Sequence, residues 1–250
     1  MTRLLTRLVT RVSKPGLSGI GVQRTSLRVS LLVVCIFPTL AVGQNDIWLG
    51  GVGNWSTASS WSNGVPTSTS NVLIDNGNSA HSSVTTNYNG AQCRNLTIDS
   101  DDNVNMVDGT IFTLSGPSIC NSGSITLNSV GFGTYFNFGG AVTLSGGGTL
   151  PMGNNSANYL FGYAQPGPGA SLTNKSTIQG AGHIGWNGGI GTGNSFANRG
   201  TINANQSATA FLAYRLSPKQ EFTGTGAATS ASDSFVGLGM VDGTSDINRA

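Results

Sequence analysis

From Asn95 onward the chain repeats one arrangement, a short run of apolar or β-branched residues followed by a turn of Gly, Asn and Ser. The runs are 96–98, 111–114, 125–127, 141–144, 176–178 and 201–202. In Ile125, Thr126 and Leu127 two apolar side chains flank a hydroxyl. An extended backbone puts such neighbours on opposite faces, so the run predicts a short strand with one face buried and the other in water. Three turns share a further signature: Asn121, Asn174 and Asn198 are each followed by two turn-compatible residues, a hydroxyl residue and Ile. Asn174 and Asn198 lie 24 residues apart. That interval suits one coil of a parallel β-helix, in which each coil needs neighbours on both sides to bury its apolar face. Asn121 to Asn174 spans 53 residues with no clear copy between them.

Ahead of the repeats, residues 46–74 carry Trp48, Gly50, Gly51, Gly53, Trp55, Trp61, Gly64 and Pro66, then the apolar run Val72, Leu73 and Ile74. Three of the four Trp of the chain sit here. The first rung of a stacked sheet exposes its core and an unpaired edge, and an aromatic block at that end predicts a cap. The stretch from Trp48 to Trp55, followed by Ser60 to Pro66, resembles the opening motif of autotransporter-type passenger domains and related large secreted bacterial repeat proteins. The likeness is specific over residues 46–74 and compositional over the rest. It implies a parallel β-helix, a surface or secreted location and an adhesin-like role, and it brings no catalytic residues.

The fold expected is therefore all-β, a single-stranded parallel β-helix with an N-terminal Trp-containing cap. A β-sandwich is the alternative, because short strands with regular turns fit it too. The cap block is placed at 44–80 and the coils at 81–207. Residues 151–170, with Tyr159, Phe161, Tyr163, Pro166 and Pro168, break the strand rhythm and predict a loop leaving the coils. Tyr159, Phe161 and Tyr163 are the candidate ligand contacts there. Alternation would put these aromatics on one face of an extended chain, and packing back on the coils is the competing expectation. The segment 208–250 reads as poorly packed or truncated.

Composition changes the picture mainly at the front. Six of the twelve basic residues precede position 29, whereas the first acidic residue is Asp46. Arg3, Arg7, Arg11, Lys14, Arg24 and Arg28 precede the apolar run 31–40, and Ala41, Val42 and Gly43 supply a cleavage site. This is the order of a secretory signal peptide, with cleavage expected after Gly43 and export to the surface or medium. The apolar run is shorter than the ~20 residues of a membrane span. An Arg-rich transit peptide would leave both the run and the cleavage site unexplained. The mature chain from Gln44 then holds six basic and ten acidic residues, a net charge of −4, which supports no nucleic-acid footprint. It keeps Cys93 and Cys120, 27 residues apart. Equivalent places on adjacent coils, about 4.8 Å apart, would allow a disulfide, and two separate buried thiols are the alternative.

Candidate chemistry is sparse. Asp99, Asp101 and Asp102 cluster after the strand 96–98, with Asp108 beyond, and read as a solvated turn that lacks the spacing of a calcium loop. His81 and His183 have no Cys or acidic neighbours at metal-ligand spacing. Gly188 to Gly193 is glycine-rich without a strand-to-helix context, and Trp186 has a core role as its default. The expectation is a non-enzymatic exported protein, adhesin-like or structural, without cofactor, nucleic-acid partner or membrane span. Its partners would be surface glycans or other extracellular macromolecules. A carbohydrate-binding or polysaccharide-degrading β-helix protein, a lyase or glycoside hydrolase, is the alternative.

Overall fold

The computed structural model describes residues 43–74, 81–162, 170–185 and 195–206, and the backbone of 211–216, 221–224, 227–230 and 235–240. The proposed signal segment up to Val42 lies outside the described residues, as do Tyr163, Trp186 and 188–193. The strands begin with β1 (Asn45–Ile47), β2 (Val52–Asn54), β3 (Asn71–Ile74), β4 (Ser83–Thr86), β5 (Ala91–Cys93), β6 (Asn95–Ile98), β7 (Asn103–Val107) and β8 (Ile111–Leu114). They continue with β9 (Ser118–Asn121), β10 (Ser124–Asn128), β11 (Thr134–Phe138), β12 (Ala141–Ser145), β13 (Thr149–Met152) and β14 (Asn158–Gly162). Then follow β15 (Ser171–Asn174), β16 (Thr177–Gly180), β17 (Gly182–Gly185), β18 (Ser195–Asn198) and β19 (Thr201–Ala204). The last are β20 (Phe211–Leu216), β21 (Glu221–Gly224), β22 (Ala227–Ser230) and β23 (Phe235–Met240).

These strands form three sheets. The first runs β1-β3-β6-β9-β12-β15-β18-β21, the second β2-β4-β7-β10-β13-β16-β19-β22, and the third β5-β8-β11-β14-β17-β20-β23. Pairing is parallel, and neighbours lie one turn of chain apart, as in Asn71 beside Asn95, Leu96 beside Ile119 and Asn174 beside Asn198. The fold is a parallel β-helix; a sandwich would pair antiparallel strands. Period-two alternation builds it. In β6 Leu96 and Ile98 are buried while Asn95 and Thr97 face outward, and β10 buries Ile125 and Leu127 in the same way. The buried set stacks into columns inside the coil, such as Val104, Ile125 and Leu150.

The Asn turns are corners between the first and second sheets. Asn121, Asn174 and Asn198 end β9, β15 and β18, and all three are buried. Asn174 Nδ2 donates to Asn198 Oδ1 on the next coil at 2.9 Å, and Asn174 Oδ1 accepts the Ser176 N–H at 3.0 Å. The Asn174 amide thus satisfies its own corner and links two coils. The missing copy is the turn after β12, Gly146, Gly147 and Gly148. Gly146 has φ +106° and lies so close to the Asn121 backbone that a Cβ would strike its carbonyl. Only glycine satisfies both conditions.

At the N-terminal end Trp48, Trp55 and Trp61 are buried together. Trp61 meets Trp48 and Trp55 edge-on at 4.9 and 4.8 Å, and Trp55 reaches Phe112 at 4.9 Å. Ala91 precedes Phe112 in the inward column of the third sheet, and its small side chain leaves that approach open. Residues 60–63 cover the free edge of β1. Ser62 N–H donates to Ile47 O and Leu49 N–H to Ser60 O, both at 2.9 Å, while Asn63 Nδ2 donates to Asn45 O at 2.8 Å. An edge that would otherwise template a foreign strand is closed.

Three expectations change. Pro151 and Met152 belong to β13 and 158–162 to β14, so Tyr159 and Phe161 stand on a coil strand instead of a loop. Residues beyond 208 contribute β20 to β23 to the sheets. The Cys interval is not a coil period: Cys93 lies in the third sheet beside Leu114, and Cys120 in the first sheet beside Thr97 and Ser145. Cys93 is a free, buried thiol, so the two are not joined to each other.

Candidate functional site

Tyr159 faces outward from β14, between the inward-facing Asn158 and Leu160. Register places it beside Tyr135 of β11 and His183 of β17. The rings stack nearly parallel, Tyr135 to Tyr159 at 4.7 Å and Tyr159 to His183 at 5.0 Å, each with an interplanar angle of 9°. Sequence reasoning missed Tyr135 and His183 as partners of Tyr159. The signal was present, since residues 135, 159 and 183 are 24 apart, the interval of the Asn corners. Both faces of the Tyr159 ring are occupied by its neighbours, so it offers a sugar its edge and hydroxyl and no stacking face. Phe161 lies on the same strand, beside Asn137 and Gly185.

Three of the described acidic residues, Asp46, Asp102 and Asp108, accept hydrogen bonds from backbone N–H groups. Asp102, buried at the corner between β6 and β7, accepts the Ser82 N–H on Oδ1 at 2.8 Å. Asp101 takes the left-handed conformation at φ 70°, and its carbonyl lies 3.3 Å from His81 Nδ1. The Asp99–Asp102 turn is therefore a corner stapled to the preceding coil. Asp108 Oδ1 accepts the N–H groups of Val130, Gly131 and Phe132 and the Ser129 hydroxyl, at 2.8, 3.1, 3.0 and 3.3 Å. These donors, the Val130 N–H foremost, hold its carboxyl below the usual range, which suits a permanent anion and not a general acid. Burial pushes the Asp46 carboxyl up inside the cap, against a smaller opposing effect from the Asn63 N–H. It also raises the Cys93 thiol, which keeps it protonated and unreactive. Among the described residues no group of three or more His, Cys, Asp or Glu is placed to hold a metal ion.

Over six strands, β4 to β19, the outer face of the second sheet is neutral and, Pro151 apart, made of hydroxyl and amide side chains; the first row ends at the exposed Val52 of β2. Ser83, Asn103, Ser124, Thr149, Thr177 and Thr201 form one row across six strands. Thr85, Asn105, Thr126, Pro151, Gln179 and Asn203 form the second, two residues further along each strand. Every one of these positions is half-buried, and none is charged or aromatic.

Fold and surface together define a three-sheet parallel β-helix with a Trp cap and neutral outer ladders. No protein-family model, curated protein or solved structure matches the chain. Among the described residues no helix is long and apolar enough to cross a membrane.

Proposed function

We propose that this chain is an exported, non-catalytic surface or extracellular β-helix protein with an adhesin-like or structural role. The observation that carries the reading is the use made of three of its acids. Asp46, Asp102 and Asp108 each accept backbone N–H groups that hold the cap, a corner and a loop. Carboxylates committed in this way steady a scaffold, whereas hydrolysis or elimination on a glycan needs them aimed at substrate. The basic front segment ending at Gly43 and the likeness of residues 48–55 and 60–66 to autotransporter-type openings support export. The partners that fit are surface glycans or other extracellular macromolecules.

The test is expression in a bacterial host with the native N-terminus. Expected is protein in the medium or at the surface beginning at Gln44, which makes coated beads adhere to cells and leaves a panel of polysaccharides uncut. Retention in the cytoplasm would remove the export claim. Release of new sugar ends, abolished by D99N/D101N, would make the chain a polysaccharide-degrading enzyme. Asp102 is left intact in that variant because it holds Ser82.

A further inference from the structure

We propose that the outer face of the second sheet is a docking surface for packed polysaccharide, the ordered face of a glycan fibre or crystal. The inference deepens the adhesive reading and rests on it. Neighbouring strands about 4.8 Å apart, and same-face positions about 6.6 Å apart along each strand, make the two rows a two-dimensional grid. The grid is stiff, since the residues between the rows, such as Val84, Ile125 and Ile178, are fully buried. Its side chains are also ordered before any partner arrives. Ser83 Oγ donates to Asn103 Oδ1 at 2.8 Å, and the Ser124 and Thr126 hydroxyls lie 3.2 Å apart.

The chemistry selects the partner. Phosphate-bearing polymers call for Lys or Arg, membranes for an apolar patch, and protein hot spots for Trp, Tyr or Arg; none of these occupies either row. Hydroxyl and amide side chains both donate and accept, as sugar hydroxyls do. One such hydrogen bond against water is weak, and a single soluble sugar gains too few to offset the cost of association. A rigid polymer face that repeats its hydroxyls meets many rungs at once, and linked contacts raise apparent affinity by roughly 10²–10⁴. The grid therefore favours ordered, insoluble glycan over free oligosaccharide.

The full chain is sedimented with microcrystalline cellulose and with chitin. Wild type is expected to be retained on at least one of them, with matching soluble oligosaccharides competing about 100-fold less well. T126K/T177K should reduce retention by about tenfold or more, since two long ammonium side chains hold the polymer face off many rungs together. T126A/T177A, which removes hydroxyls without adding charge, should reduce it in the same direction. T113K, on the outer face of the third sheet, should bind like wild type. Circular dichroism and thermal midpoints identify any variant that does not fold. Absence of retention on both polymers, or equal retention by wild type and both second-sheet variants, overturns the inference, as does inhibition of ice growth without polymer retention. If coated beads still adhere to cells in those cases, the adhesive reading stands through another surface; if they do not, both fail.

Discussion

At Asp108 one carboxylate oxygen gathers three backbone N–H groups and a hydroxyl from residues 21 to 24 positions later in the chain. The loop it pins presents Val130 and Phe132 to solvent, 80% and 75% exposed. D108A should leave the thermal midpoint nearly unchanged and speed amide exchange at Val130, Gly131 and Phe132 by about tenfold or more, because local opening is independent of the coils. Unchanged exchange would mean that the loop holds itself. With the carboxyl lowered, the local stability these bonds give the loop is present above the unfolded pKa and is lost as pH falls through the folded one. Asp46 has the opposite sign. Its carboxyl is raised by burial, so its contribution is complete below the unfolded pKa and is lost as pH rises through the folded value. D46N keeps the acceptor for the Asn63 N–H and removes the buried charge. Thermal midpoints between pH 4 and 7 should then rise at the neutral end and depend less on pH; a lower midpoint for D46N at pH 7 would reverse the assignment. Neither role was legible in the sequence, since the partners of Asp108 stand a turn of the coil away and those of Asp46 in the cap segment 60–63.

Among elements, the corners between the first and second sheets were the most legible. The Asn, two turn residues and hydroxyl were visible because turn chemistry is local, and the 24-residue echo became the Asn174 to Asn198 bond. N174A leaves the Ser176 N–H and Asn198 Oδ1 without this partner in a buried place, and should cost about 1–3 kcal/mol in denaturant titration. G146N, which restores an apparent consensus, should destabilise instead, because φ +106° and the Asn121 backbone leave no room for a side chain. A neutral or stabilising G146N would show that this corner can take the Asn form. The strands on either side of Pro151 were obscured for a local reason. Proline cannot donate to a ladder and ordinarily marks an edge or a break, yet Pro151 lies inside β13, beside Gln179 of β16. Together with the aromatics and Pro166 and Pro168 further along, it made residues 151–170 look like a loop. The Cys93 and Cys120 spacing misled in the opposite way, because 27 residues resembles a coil while the chain returns to the first sheet after 23, from Leu96 to Ile119.

On the scale of the molecule, each coil touches only its neighbours, so stability is close to a sum of rungs and interfaces, with the ends most exposed to fraying. The Trp cap addresses one end twice. Its indoles continue the inward column onto Phe112, which in turn stacks on Phe136 at 5.1 Å, and its 60–63 segment closes the edge of β1. Trp55 sits at the junction, packed against Trp61 on one side and Phe112 on the other. W55A should cost about 3–5 kcal/mol, as truncating a large buried aromatic does. In a solenoid that cost need not spread evenly. Hydrogen exchange by mass spectrometry should show protection falling in β1 to β8, with β12 to β19 near wild-type levels, because the indole packs only against the first rungs. A uniform fall over all coils would instead make the β-helix one cooperative unit, with the cap anchoring the whole array and not just its end. The two outcomes also bear on the proposed glycan-docking face: an array that frays from one end keeps its neutral grid over the distal rungs, while one that unfolds as a unit loses the grid with its cap.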